Sequence, residues 1–554
     1  MKRMTAMGIL LVGLLAWMRS PARALAGDGI AASVPIFTQV ATYIGPAPPT
    51  QSLHLVVHLA YPNPGQVAQF IQAVNDPSSP TYGSYLNPSQ FTTMFGPSGN
   101  SYSTVEYTMT NAGATIFATL SNLKTIDVIA TVAEADSLFN TTINQYVYNS
   151  VTYYANGNPA SVPKTLKGIV MAVSGFTNFA QKIAQPPGSN SIGFGPQQIE
   201  FAYNEPIRTR PSLDGAGTTM AIDTACDYLD SDLIGYWKAF GVKDTGTITR
   251  VPVVDPVNQG LGPCAGDETT LDVEQATSNA PAASVEVYEG ADALNSTFDD
   301  VYAQTANDPN VDIVTTSFGS CEAGADPNEV AADNDLFEQG AAEGQTWFAA
   351  DGDNGSTDCG LNDPPFGFPG HPNPTTVDFP ASSPYVTGAG GTTLKLRKSG
   401  KIASEVAWSG SGGGLSAFFG LPWYQQNVPN LGSSKVRNVP DVALDADPST
   451  PYALYYLGTF AMSTGGTSAV APNLAAMQAQ FDQYFAQRLG LAQTGLYNGF
   501  RRDTYPGKAW HDITSGSNGG YNAHAGYDNV TGTGSLDALR YMEQIPKPKG
   551  GRRL

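Results

Sequence analysis

Histidine is almost missing from this chain: only His54, His58, His371, His511 and His524 occur among 554 residues. Cationic side chains are also few, with 28 Lys and Arg against 48 Asp and Glu and a net charge of −20. That balance argues against nucleic acid or an anionic membrane as partner. It also limits the cationic repulsion that unfolds many proteins in acid. Charged residues make up 14% of the chain and hydrophobic ones 41%, so large cores can form, and the length predicts two or more domains. Long apolar runs are lacking beyond the N-terminus, where Lys2 and Arg3 precede GILLVGLLAW (8–17) and Ala24-Leu25-Ala26 follows. The run is too short to span a bilayer, so residues 1–26 read as a signal peptide and the protein is expected to be secreted. Cysteine is scarce too. Cys226, Cys264, Cys321 and Cys359 allow three pairings; the predicted strand ends beside them favour Cys321–Cys359 and Cys226–Cys264, and no Cys/His zinc spacing is present.

What is there divides into two regions. Residues 51–165 read as one small α+β unit, with a strand over 54–60, a helix over 64–74 and a turn-rich crossing over 75–86 (NDPSSPTYGSYL). A second helix begins near Pro88 and is expected to carry Phe91, Met94 and Phe95 on one side. The stretch 184–197 (IAQPPGSNSIGFGP) reads as an exposed linker open to proteolysis. From about Phe201, apolar strands at 218–222, 283–288, 311–317 and 346–350 alternate with helices at 267–279, 296–306 and 328–343. This alternation predicts an α/β fold, a doubly wound parallel sheet that binds ligands at the strand C-terminal ends. The resulting division is 27–183, a linker at 184–200, and 201–554, ending in a basic tail (KPKGGRRL).

The chemistry gathers on three segments. GGTSAVAP (465–472) places Ser468 on a Gly-rich turn that opens a helix, where Oγ is exposed and backbone N–H groups point at a developing oxyanion. No histidine stands ready as its base: His371 lies in a Pro/Gly loop, and His511 and His524 follow the serine in a loop-rich segment. Instead, GDETTLDVEQA (266–276) sets Glu268 and Asp272 four residues apart on one helical face. Such a pair reads either as a solvated acidic face or, when buried, as a coupled pair in which one acid keeps its proton and orients the other as a base. TWFAADGDNG (346–355) ends a strand in a turn bearing Asp351 and Asp353. That turn reads as an Asx-turn, a metal loop, or the seat of a neutral Asp353 that donates to an oxyanion. Near the C-terminus, Asp512 and Asp528 flank a Gly/Asn-rich loop (511–535), read as a plain turn or as oxygen ligands for one hard cation such as Ca²⁺.

The G-T-S-x-x-x-P segment resembles the nucleophile segment of subtilisin-like serine peptidases. Joined to the E-x-x-L-D of Glu268, Leu271 and Asp272 and to the turn of 351–355, the chain resembles the sedolisins, the serine-carboxyl peptidases. It departs from that family's S-G-D-S-G turn at Asp351 and Asn354, and from its S-G-T-S segment at Gly465. The resemblance implies a subtilisin-like catalytic domain with Ser468 as nucleophile, Glu268 as base, Asp272 as its orienter and Asp353 as oxyanion donor. It also implies action in acid, with Asp351 as an extra carboxylate able to disturb the donor. WSGSGGGLSAFFGLPWYQ (408–425) resembles the Gly-rich segment near the S1 pocket, where an extended peptide adds as a strand. The C-terminal loop resembles the family's calcium loop, implying one Ca²⁺ held by the Asp512 and Asp528 side chains and by the carbonyls of Ile513, His524 and Gly526. NDPSSPTYGSYLNPSQF (75–91) and FGPS (95–98) resemble the propeptide, which implies a ferredoxin-like intramolecular inhibitor and chaperone. Substrates are then polypeptides, and the expected state is a monomeric, self-activating endopeptidase zymogen. The alternatives are a tripeptidyl-type exopeptidase and an inactive calcium-stabilised binding protein.

Overall fold

Alternating side chains along SLHLVVHL make Ser52–Leu59 (β1) a strand covered on both faces, and that double burial joins the two halves of the molecule. The computed structural model describes residues 29–179, 193–243, 245–257, 266–359, 364–367, 371–460, 464–502 and 509–548. The signal peptide expected at 1–26 and most of the expected linker lie outside them, as does Cys264 of the expected Cys226–Cys264 pair.

In the N-terminal domain, β1 is followed by helices Pro64–Asn75 (α1), Pro88–Phe95 (α2) and Gly99–Asn111 (α3) and strands Thr115–Thr119 (β2) and Thr125–Thr131 (β3). Helix Val132–Phe139 (α4) and strand Val170–Ser174 (β4) complete it. The antiparallel sheet runs β2-β3-β1-β4, the order of a ferredoxin-like domain, as expected. Leu53, Leu55 and Val57 pack with Ile126 and Val128 against Val105 and Met109 of α3 and Phe139 of α4. The domain's fourth strand lies beyond residue 165, so the unit read as 51–165 stops short. Helix α2 also differs from expectation: Phe91 and Phe95 are buried, but Met94 is 55% exposed, since only the i,i+4 pair meets the core.

The C-terminal domain starts earlier than residue 201. Pro196 at the first helical position opens Pro196–Ala202 (α5), and Ile199 and Tyr203 enter the catalytic-domain core. Phe194 is already docked, its N–H donating to the Pro451 carbonyl at 2.6 Å. The end of the expected linker is therefore part of the globule, not an exposed strand of chain.

The large sheet contains Thr219–Ala225 (β5), Ile248–Val253 (β6), Ser284–Gly290 (β7), Ile313–Thr316 (β8), Thr346–Ala350 (β9), Val386–Leu396 (β10) and Ile402–Ala407 (β11). Its order is β6-β7-β5-β8-β9-β10-β11, with Val442–Asp445 also pairing on β10. All pairs are parallel except β10 with β11. This is the predicted doubly wound α/β sheet. Helices Gly266–Asn279 (α6), Asn295–Asn307 (α7), Pro327–Glu343 (α8) and Val470–Phe485 (α9) cover it. No helix among the described residues is long and apolar enough to cross a membrane.

Candidate active site

Chain order reverses direction across the sheet at β5, and the elements carrying the expected catalytic groups meet at that edge. Helix α6 is buried around most of its circumference, so Glu268 and Asp272 are not a solvated acidic face. Helix α9 lies against it, fixed by Asn279 Nδ2 donating to Asn473 Oδ1 at 2.6 Å and Asn473 Nδ2 to Gln275 Oε1 at 3.3 Å. That packing brings Ser468, in the 3₁₀ turn Thr467–Ala469 leading into α9, beside the Glu268 carboxylate. Burial, then the charge of Asp272 four residues on, holds Glu268 well above the usual carboxylate range; burial raises Asp272 likewise. Glu268 Oε1 and Asp272 Oδ2 have no hydrogen-bond partner.

Asp353 follows β9 and faces the serine turn. Thr467 N–H and Oγ1 both donate to its Oδ1, at 2.7 and 2.9 Å. Gly466 sits at φ 97°, and a Cβ there would meet Asp353 Oδ2 at 2.4 Å, so only glycine leaves room for this carboxyl. Burial pushes Asp353 up to about 6, opposed by the Thr467 bonds. Near that pH its free oxygen carries a proton for much of the time and can donate.

Asp351 is the other acid of this turn. It is fully buried, neither carboxyl oxygen has a hydrogen bond, and burial followed by Asp358 holds it well above its usual range. Its electrostatic neighbours are Asp358, Arg437 and Asp441.

Sequence reasoning missed Ser317, placing it only at the end of the strand read over 311–317. Ser317 stands just after β8, its Oγ 2.8 Å from Asp272 Oδ1 and 3.1 Å from the Ser468 carbonyl. A neutral Asp272 can donate to Ser317, which then donates to the backbone of the serine turn. A lone Ser beside Phe carries no spacing signal from which this was readable. The Cys321–Cys359 disulfide forms as expected and ties this loop to the Asp353 turn. Glu322 accepts from Ser416 Oγ and Ala417 N–H at 2.6 and 2.7 Å, anchoring the Gly-rich strand Gly414–Gly420 beside the site. Among the histidines, His54 and His58 lie in the N-terminal domain, and His511 Nδ1 is 2.6 Å from Glu405.

The C-terminal loop borders the segment after Asp353, where the Asn518 carbonyl accepts from Ser356 N–H at 2.9 Å. Asp528 accepts from Val530, Thr531 and His524 N–H groups at 3.0, 2.9 and 3.1 Å. Gly526 N–H reaches Asp512 Oδ2 at 3.4 Å, while Asp512 Oδ1 is buried without a partner. The carbonyls of Ile513, His524 and Gly526 accept no hydrogen bond from the described residues. Gly526 has φ 89° whereas His524 does not have positive φ, so histidine is tolerated at 524.

Residues 39–179 match the pro-kumamolisin activation domain. The chain is 27% identical over 527 residues to sedolisin of Pseudomonas sp. (strain 101), covering 89% of this chain and 87% of that protein. It is 35% identical over 384 residues to kumamolisin of Bacillus sp. (strain MN-32), 65% of each chain. The structure of Pseudomonas sedolisin, a serine-carboxyl proteinase, complexed with two molecules of pseudo-iodotyrostatin, aligns with a TM-score of 0.55 at 26% identity, over 64% of this chain and 98% of that one. With its acidic serine site and its ferredoxin-like activation domain, this chain is similar over most of its length to the sedolisin family of serine-carboxyl peptidases.

Proposed function

We propose that the chain is a secreted, acid-acting endopeptidase made as a self-activating zymogen. Ser468 Oγ attacks the scissile carbonyl and passes its proton to Glu268, which returns it to the leaving amine; water then hydrolyses the acyl-enzyme with Glu268 again as base. Asp272 orients Glu268. Neutral Asp353 donates to the tetrahedral oxyanion beside the Ser468 backbone N–H. The observation that carries this reading is the approach of Ser468 to the buried Glu268–Asp272 pair, with Asp353 pinned to the residue before the serine. The substrate backbone adds to the Gly414–Gly420 strand.

Incubating the purified full chain in acid tests catalysis and maturation together. The native protein should shed its N-terminal domain within the incubation, and Ser468→Ala should remain full length indefinitely. Equal processing of both would assign the cut to a contaminating protease and remove the self-activation step. On a long denatured protein, internal cuts are expected from the first time points; release of short N-terminal peptides alone would favour the exopeptidase.

The C-terminal loop fits one Ca²⁺: the orphaned Asp512 Oδ1 and the open carbonyls of Ile513, His524 and Gly526 are hard oxygen donors, and Asp528 adds a carboxylate. Bound calcium would stabilise the native state by about 2.7 kcal/mol at a hundredfold excess over Kd. Chelation should therefore lower the melting temperature by several degrees and calcium restore it. An unchanged melting curve would remove calcium from this loop.

A further inference from the structure

We propose that His54, Asp127 and Asp300 form a divalent-metal site of the zinc class, bridging the activation domain and the catalytic domain. It lies outside the catalytic constellation and does not depend on the reaction assigned above.

The site arises from the face of β1 turned away from the activation domain's own core. In a strand the side chains of 54, 56 and 58 share one face, and pairing Val56 with Asp127 across β1 and β3 puts His54 and Asp127 diagonally adjacent on it. This face packs on α7 of the catalytic domain, which supplies Asp300. One ligand atom from each of the three residues lies within 4.8 Å of the others. All three are withdrawn from solvent, His54 completely.

Three polar atoms there lack a hydrogen bond: both ring nitrogens of His54 and Asp127 Oδ1. A fully buried imidazole with no hydrogen bond is costly, and a ligand that coordinates it removes that cost. The His54 ring is also held as a metal ligand is held. Its Nε2 is 3.7 Å from Asp300 Oδ2, while Nδ1 is 3.3 Å from Asp255 Oδ2. A carboxylate behind one ring nitrogen sets the tautomer that leaves the other free to bind a metal. The charge balance points the same way. Asp255 and Asp299 bring further negative charge to Asp300, and the ion pairs formed at this face come from His54 and His58. The one lysine nearby in sequence, Lys124, pairs with Asp335 at 2.8 Å. A dication neutralises two carboxylates at a place where, among the described residues, neither Asp127 nor Asp300 forms an ion pair with a lysine or arginine. One imidazole and two carboxylates is a donor set for zinc rather than for calcium, which takes oxygen alone.

The test uses the full chain with Ser468→Ala, which keeps both domains in one molecule. It is stripped with chelator, saturated with Ca²⁺ to fill the C-terminal loop, and titrated with Zn²⁺ at neutral pH by calorimetry. One zinc per chain is expected. His54→Gln or Asp300→Asn should weaken binding by at least about a hundredfold, and Asp255→Asn, behind the ligand, by about ten- to a hundredfold. X-ray absorption of the zinc-loaded chain with all three ligands intact should show imidazole and oxygen neighbours, which guards against variants that fold poorly. Absence of zinc uptake, equal uptake by His54→Gln, or a spectrum without imidazole would each overturn the site and leave Asp127 and Asp300 sharing a proton.

Discussion

Replacing Glu268 with glutamine should lower kcat by about 10⁴- to 10⁶-fold while leaving KM little changed. Glutamine fills nearly the same volume and accepts a hydrogen bond from Ser468, but it cannot take the proton. The loss is therefore chemical and not steric. Because Ser468 and Glu268 lie side by side and are expected to act as a unit, Glu268→Gln combined with Ser468→Ala should be no slower than either alone. The measurement is single-turnover hydrolysis of a chromogenic peptide by processed enzyme, with processing of the glutamine variant supplied in trans by native enzyme. Turnover within tenfold of native would end the role of this helix as the source of the base.

The second large effect concerns Asp353. Its neutral form donates, and burial places its titration at about 6, so kcat/KM should fall about tenfold per unit above that pH. Asp353→Ala removes the donor and should cost about 10²- to 10³-fold in kcat below pH 6, a loss that shrinks above it as the native carboxyl ionises. Asp353→Asn keeps an N–H donor that does not titrate, so the alkaline limb near 6 should vanish at a smaller rate loss. A limb left in place by asparagine would assign that ionisation to the Glu268–Asp272 pair. The two variants separate presence of a donor from its protonation, which a single substitution cannot.

Much of this was legible in the sequence because the decisive signals are local. The buried strands β8 and β9 are short apolar runs, and the E-x-x-x-D spacing of α6 needs only helical geometry to put both acids together. Strand β10, VTGAGGTTLKL, was not legible: glycine disfavours strands, and the reason for it is long-range. A Cβ at Gly390 would meet Pro440 Cγ at 2.5 Å, and one at Gly391 would meet Ala446 Cβ at 2.7 Å. Ser317 and the His54–Asp300 approach were hidden for the same reason, as each joins residues far apart in the chain. The linker was misjudged at its end because Pro196 and the preceding glycines read as loop, although proline at a first helical position begins a helix.

Helix α8 ends against the activation domain in a way that sets the character of the free enzyme. Asn75 Nδ2 and Leu86 N–H donate to the carbonyls of Ala341 and Ala342, two of the four that a helix leaves unpaired at its last turn, and Tyr61 Oη donates to that of Asp335. Tyr61, Ile71 and Phe91 share one apolar cluster with Leu336 and Phe337. Once those donors and rings depart, water must solvate this helix end and an oily patch faces the medium. Survival of the liberated protease then becomes a matter of rate, governed by the height of its unfolding barrier instead of by an equilibrium reserve.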